Sequence, residues 1–248
     1  MKNQIVFQQI VLITDGYSNV GVPPIEAAKI ASDQGIIVHV IGISDYSSKE
    51  IEGRREIEEI AKSGGGYSQI VELGHVAKTV ELFTKKTMNS TIQQIVQQQL
   101  KEVLHDRSFL SIPPNERVQI GKIIDDLSEY SQLRILLLVD RSASMGNKME
   151  KLKEAIYDFQ LSIHSRAGDS QVAIAFFPGV SDVIDIVLPW TDESSKLNSI
   201  LSHLLPKGNT PTGPALLESL GYIISTHQSP YQRIGSQGQN GALDEFII

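Results

Sequence analysis

Apolar positions in this chain come in short blocks whose period switches between that of a strand and that of a helix. Residues 5–14, "IVFQQIVLIT", end in a β-branched run and predict a buried strand. "GVPPIEAAKIASDQG" follows, with two prolines at a helix start, apolar residues at helical spacing and Gly35 as the predicted C-cap. "IIVHVIGIS" (36–44) is a near-continuous β-branched run, the pattern of a parallel strand covered on both faces. "REIEEIAKSGGGYSQIVEL" predicts a short helix, a Gly-rich turn at 64–66 and a strand at 67–72. No Lys-Ser/Thr follows these glycines, so they read as a helix stop with residues at positive φ, not as a phosphate loop. "HVAKTVELFTKKTMNSTIQQIVQQQLKEVL" is helical in period and Gln-rich in its second half. Its Gln-rich part, 92–104, suits an interaction face and a solvated connector helix equally.

Residues 105–132 interrupt the alternation. Pro113–Pro114 is expected to break any helix, which leaves a connector with helix at 122–130. "LRILLLVDRSASMGNKMEKLKEAIYDFQLSI" then predicts a buried strand at 134–139, a polar loop, and a helix with apolar positions 149, 152, 156, 159 and 161 beside Ala155. "SQVAIAFFPG" (170–179) and "VIDIVLPW" (183–190) read as a strand pair, and "SSKLNSILSHLL" as a helix. "PKGNTPTGPALLESLGYII" is a polar loop opening a further helix. Residues 227–248 are rich in Gln, Gly and Ser and read as a flexible tail ending in "DEFII".

Composition narrows the function. The chain has 248 residues, 41% hydrophobic and 21% charged, which fits one large α/β domain or two small ones. A net charge of −7, with basic clusters no longer than pairs such as Arg54–Arg55 and Lys85–Lys86, argues against nucleic acid as a partner. There are no cysteines, so disulfides, thiolate catalysis and Cys-type zinc sites are excluded, and a cytoplasmic location fits. No apolar run approaches the roughly 18 residues that span a bilayer, and no signal peptide is expected.

"VDRSASM" carries the chemistry. Asp140, Ser142 and Ser144 stand at alternate positions directly after a buried strand, where a loop can aim three oxygens at one point. These are hard donors suited to Mg2+ or Mn2+ rather than zinc. "GNTPTG" adds Thr210 and a further hydroxyl at Thr212, which reads as the N-cap of the next helix. Asp15, after its own buried strand, adds a second carboxylate. Mg2+ takes six ligands, so such a set leaves a position open to an outside oxygen. Each feature alone has a plainer explanation, since Asp and Ser cluster in turns and cap helices. It is the set that points to a metal.

Together "DRSAS" after "ILLLV", "GNTPTGPAL" and "VLITDG" resemble the von Willebrand factor type A family and its metal-ion-dependent adhesion site. The resemblance implies a doubly wound, mainly parallel α/β sheet flanked by helices in three layers. It implies a metal held by Asp140, Ser142, Ser144, Thr210 and Asp15, and a protein partner that presents Asp or Glu. Asp15 would act through a bridging water, and Met145, Gly146, Tyr17 and Ser18 would form the rim that meets the partner. In the family the D-x-S-x-S half comes first. Here residues 1–92 carry the C-terminal half, 93–132 a connector, and 133–226 the N-terminal half, so the order of this single domain is circularly permuted. Order and length are most similar to a group of proteins from endospore-forming bacteria, which implies a role in sporulation. Permutation also permits a swapped homodimer. The alternative is a scaffold whose site binds no metal or has its open position filled from within, with Asp244 or Glu245 of one molecule available as ligands to another's metal.

Other functions find less support. A Mg2+-dependent phosphohydrolase needs a second acid two residues after its nucleophilic Asp, where Ser142 stands, and no His or Lys is placed near Ser142 by sequence. A phospho-receiver domain needs an acidic pair that is missing. The six histidines show no ligand spacing, and His39 reads as a satisfied strand residue. Asp182 and Asp185 have an odd spacing that sets them on opposite faces of any strand, so they share no ligand; Asp182 reads as a turn residue, Asp185 as a polar edge-strand position, and Trp190, Phe176 and Phe177 as packing residues. The family helix at 74–92 is tied to the connector, so restricted motion is expected there.

Overall fold

The computed structural model describes residues 6–15, 18, 20–43, 50–103, 113–164, 166–191 and 205–226. In chain order these form β1 (Val6–Thr14), α1 (Pro24–Asp33), β2 (Ile37–Ile43), α2 (Glu50–Ser63), β3 (Gly65–Val71) and α3 (Val76–Val103). There follow α4 (Pro114–Tyr130), β4 (Gln132–Asp140), α5 (Met149–His164), β5 (Ser170–Phe177), β6 (Asp185–Thr191) and α6 (Thr212–Ser225). The predicted helix "SSKLNSILSHLL" and the tail with Asp244 and Glu245 lie outside the described residues.

All six strands share one sheet in the order β3-β2-β1-β4-β5-β6. It is parallel except for β6, which runs antiparallel to β5 at one edge. Successive side chains of a strand point to opposite faces, so each buried strand feeds two cores. Phe7, Val11 and Ile13 pack with Val80, Ile92 and Leu152, among others, under α3 and α5. Ile10 and Leu12 pack with Ala28, Ile60 and Leu216 under α1, α2 and α6. The result is the expected three-layer, doubly wound arrangement.

Several local expectations change. Proline does not break the connector: Pro114 stands at the first helical position with Pro113 as N-cap, so α4 runs from 114 rather than 122. Proline's fixed φ suits that position, where its missing N–H is not needed. Ile120, Ile124 and Leu127 then lie on one stripe and pack against the core. Within the Gln-rich part of α3, Ile92 and Val96 are buried, so that helix is not solvated all round. In α5 the buried stripe is Met149, Leu152, Ile156, Phe159 and Ile163, whereas Leu161, two positions off it, is 50% exposed. β3 starts at Gly65 because that residue pairs with Val38 of β2, and Gly65 is the one of the three glycines with positive φ (67°). Gln34 caps α1, with Gly35 just beyond it at φ 74°. A Cβ at Gly35 meets open space. Gly35→Ala is therefore expected to cost only the left-handed backbone strain, about 1 kcal/mol, measured by denaturant unfolding.

Two parallel strands at the centre fix where a ligand can bind. The register Ile13↔Val139 brings the C-terminal ends of β1 and β4 side by side. The helix after β1 goes to one face of the sheet and the helix after β4 to the other. This is a topological switch point, where diverging loops leave a crevice.

Candidate metal centre

Asp140, the last residue of β4, sits in that crevice and is 0% exposed. Its Oδ2 accepts the Thr14 hydroxyl at 2.6 Å, and its Oδ1 accepts the Ser142 backbone N–H at 2.7 Å. The second contact is the turn that Asp forms two residues ahead of itself. Burial pushes the carboxyl pKa up to about 6; the bonds from Thr14 and Ser142 oppose that rise, and the Asp15 charge adds to it. Among the described residues no ion pair reaches Asp140.

The Ser142, Ser144 and Asp15 oxygens converge here. Ser142 Oγ and Ser144 Oγ are 3.1 Å apart, and the Ser144 hydroxyl donates to Asp15 Oδ1 at 2.8 Å. Asp140, Ser142, Ser144 and Asp15 are thus linked in one chain of short contacts across β4 and β1. Thr210 is buried on the loop before α6. That loop docks on the D-x-S-x-S turn, where Gly208 C=O accepts the Ala143 N–H and Arg141 C=O accepts the Lys207 N–H. From the other side, α6 abuts the loop after β1. A Cβ on Gly213 would lie 1.8 Å from the Val22 carbonyl oxygen, so only glycine permits this approach. Thr212 is not the N-cap. Pro211 takes that place, its carbonyl accepting the Ala215 N–H, and the buried Thr212 Oγ1 has no hydrogen-bond partner among the described residues.

Three contributors were not visible in the sequence pattern. Thr14 is a strand residue whose role depends on β1–β4 register. Arg141 braces the turn from behind: its Nε donates to Pro178 C=O at 2.7 Å and its terminal nitrogen to Asp185 at 2.6 Å. Lys148, buried at the end of a 3-10 turn (Ala143–Lys148), donates to Asp15 Oδ2. Sequence placed no Lys near Ser142; the structure brings Lys148 to Asp15, which accepts from Ser144. An ammonium paired with a carboxylate is a donor only, however, so Lys148 is no base for a serine nucleophile.

Of the predicted rim, Gly146 is exposed and Ser18 is half-buried, its N–H donating to Glu56 at 3.1 Å. Met145 is fully buried in the core under α5 and cannot meet a partner; Tyr17 lies outside the described residues. Asp185 opens β6 and holds Arg141, while Asp182 stays in the preceding loop. Phe176 and Phe177 are core residues, and Trp190 packs half-buried beside α6.

The donor set fits a hard divalent cation: two carboxylates, hydroxyls at short spacing, and at Asp140 a buried carboxylate with no ion pair among the described residues.

A family model described as von Willebrand factor type A domain matches residues 135–234. The uncharacterized protein YabS of Bacillus subtilis (strain 168) is 40% identical over 212 residues, which cover 85% of this chain and 86% of YabS. Among solved structures, an uncharacterized protein from Alicyclobacillus acidocaldarius subsp. acidocaldarius DSM 446 is similar at 34% identity with a TM-score of 0.81. The match covers 89% of this chain and 95% of that one.

Proposed function

Because this chain belongs to the von Willebrand factor type A domain family, we propose that it is a metal-ion-dependent protein-binding module. Its ion is Mg2+ or Mn2+. Asp140, Ser142, Ser144 and Thr210 hold it, and Asp15 acts through a bridging water. The observation that carries this reading is Asp140: a carboxylate withdrawn from water at a sheet switch point, with no ion pair among the described residues. Leaving such a charge uncompensated is costly, and a dication removes the cost. When bound, the ion supplies a positive centre that a carboxylate oxygen of a partner protein can enter. Among the described residues no helix is long and apolar enough to cross a membrane.

The adjacency of β1 and β4 supports the permuted order. Opening the chain between β3 and β4 and joining its tail to its start preserves every strand neighbour, and the D-x-S-x-S strand then comes first. The role in sporulation that the family resemblance implies is kept as part of this proposal.

Calorimetric titration of metal-free protein with Mg2+ and with Mn2+ tests the site. One ion per chain is expected, and Thr210→Ala is expected to weaken it about tenfold. Thr212→Ala is expected to leave affinity within about twofold of the wild type; if the two threonines exchange effects, Thr212 is the ligand. No heat with either ion removes the metal reading.

A further inference from the structure

Burying a lysine is costly unless its charge is paired, and a lysine beside a cation site works against the cation. Yet Lys148 and Asp15 are packed together here, with side chains only 6% and 2% exposed. Both oxygens of Asp15 are engaged: Oδ1 accepts the Ser144 hydroxyl at 2.8 Å and Oδ2 accepts the Lys148 ammonium. An exposed lysine would be screened by water and have little effect on the site. This one acts at close range in a low-dielectric setting, where charges interact strongly.

We propose that Lys148 is a built-in counter-charge: it holds Asp15 out of direct coordination and offsets its charge, which leaves the loaded ion receptive to a partner's carboxylate. The inference rests on the metal reading above and deepens it. Asp140 and Asp15 together match the charge of a dication and would neutralise it. The Lys148 ammonium beside Asp15 makes that neutralisation less complete. Lys148 is thus a positioning residue that gives up metal affinity in exchange for partner affinity.

The test is a Mn2+ titration of the full chain by calorimetry and electron paramagnetic resonance, with water-proton relaxation reporting Mn2+-bound waters. Lys148→Met is expected to bind Mn2+ at least tenfold more tightly than the wild type and with one water fewer, as Asp15 enters the coordination sphere. Acetate is expected to bind the Mn2+-loaded variant more weakly than the loaded wild type. Lys148→Arg keeps the charge and is expected to behave as the wild type. Should Lys148→Met fail to fold without metal, a charge-balanced pair carries the test. Asp15→Asn alone is expected to weaken Mn2+ at least tenfold, and Asp15→Asn with Lys148→Met is expected to return affinity to within about threefold of the wild type. If the double variant binds as poorly as Asp15→Asn, or Lys148→Met changes neither affinity nor relaxation, the inference is overturned. A wild type that takes up no Mn2+ overturns the metal reading, and this inference with it. A wild type that binds while the Lys148 variants stay flat overturns only the inference.

Discussion

Replacing Asp140 with Asn is expected to abolish divalent-ion binding and yet make the metal-free protein more stable. The carboxyl group ionises near pH 3.8 when exposed and near 6 in the fold, because burial disfavours its charge. Between those values the folded chain holds a proton that the unfolded chain has lost. Stability from this group is therefore full at low pH, declines as pH rises through the window, and is absent at neutral pH. At pH 7.5 the ionised group costs about 3 kcal/mol in the metal-free fold. Asparagine removes the charge and keeps both hydrogen bonds: its oxygen accepts the Ser142 N–H, and its amide donates to the Thr14 hydroxyl, which can turn to accept. A gain of about 2–3 kcal/mol, or a rise in Tm of about 4–8 °C, is expected. Thermal unfolding in chelator at pH 7.5 checks this. A lower Tm for the variant would mean that Asp140 is compensated in the metal-free chain, which removes the main support for a cation site.

The second large effect comes from His39. It is fully buried on β2, stacked 5.9 Å from Tyr67 and tilted 5.4 Å from Phe83. Its Nδ1 accepts the Tyr67 backbone N–H at 3.0 Å, so the ring proton sits on Nε2, which faces the Thr87 hydroxyl at 3.2 Å. Protonating Nδ1 would set two donors against each other. Burial lowers the pKa from 6.5 to about 4. Here the unfolded chain holds the extra proton between pH 4 and 6.5. Stability is thus full above that window and falls by about 3 kcal/mol as pH drops through it. Asp140 titrates in the opposite sense over nearly the same range, so the metal-free wild type hides much of the slope. Asp140→Asn exposes it: denaturant unfolding of that variant is expected to show the acid loss, and adding His39→Gln to remove it. Equal slopes in the single and double variants would show that His39 is charged in the fold.

Much of this arrangement could be read from residue order because parallel buried strands write themselves as unbroken β-branched runs. "IIVHVIGIS" and "LRILLLVD" are β2 and β4 within two residues at each end. The turn at Asp140 was legible for a local reason: an Asp side chain accepts the N–H two residues on, as Asp140 does from Ser142. Local pattern fails where a partner is distant. Lys148 has no periodicity that points to a carboxylate 133 positions away, and Thr14 gains its role only from register with β4. Met145 looked like rim because it follows the motif, but the 3-10 turn rotates it into the core. At α4, tertiary burial of Ile120 and Ile124 favoured helix across a stretch whose prolines suggested a break.

The seam between β1 and β4 also has a consequence for synthesis. Thr14 and Asp140 touch, yet they are 126 positions apart in the chain. At ribosomal speeds of about 5–20 residues per second, β1 waits roughly 6–25 s for that neighbour. Meanwhile β1 can pair with β2 on one side, and its other edge stays open at what will become the middle of the sheet. A nascent chain of this order therefore leaves a long apolar strand edge unpaired until its second half emerges, longer than a chain that makes its central strands in succession.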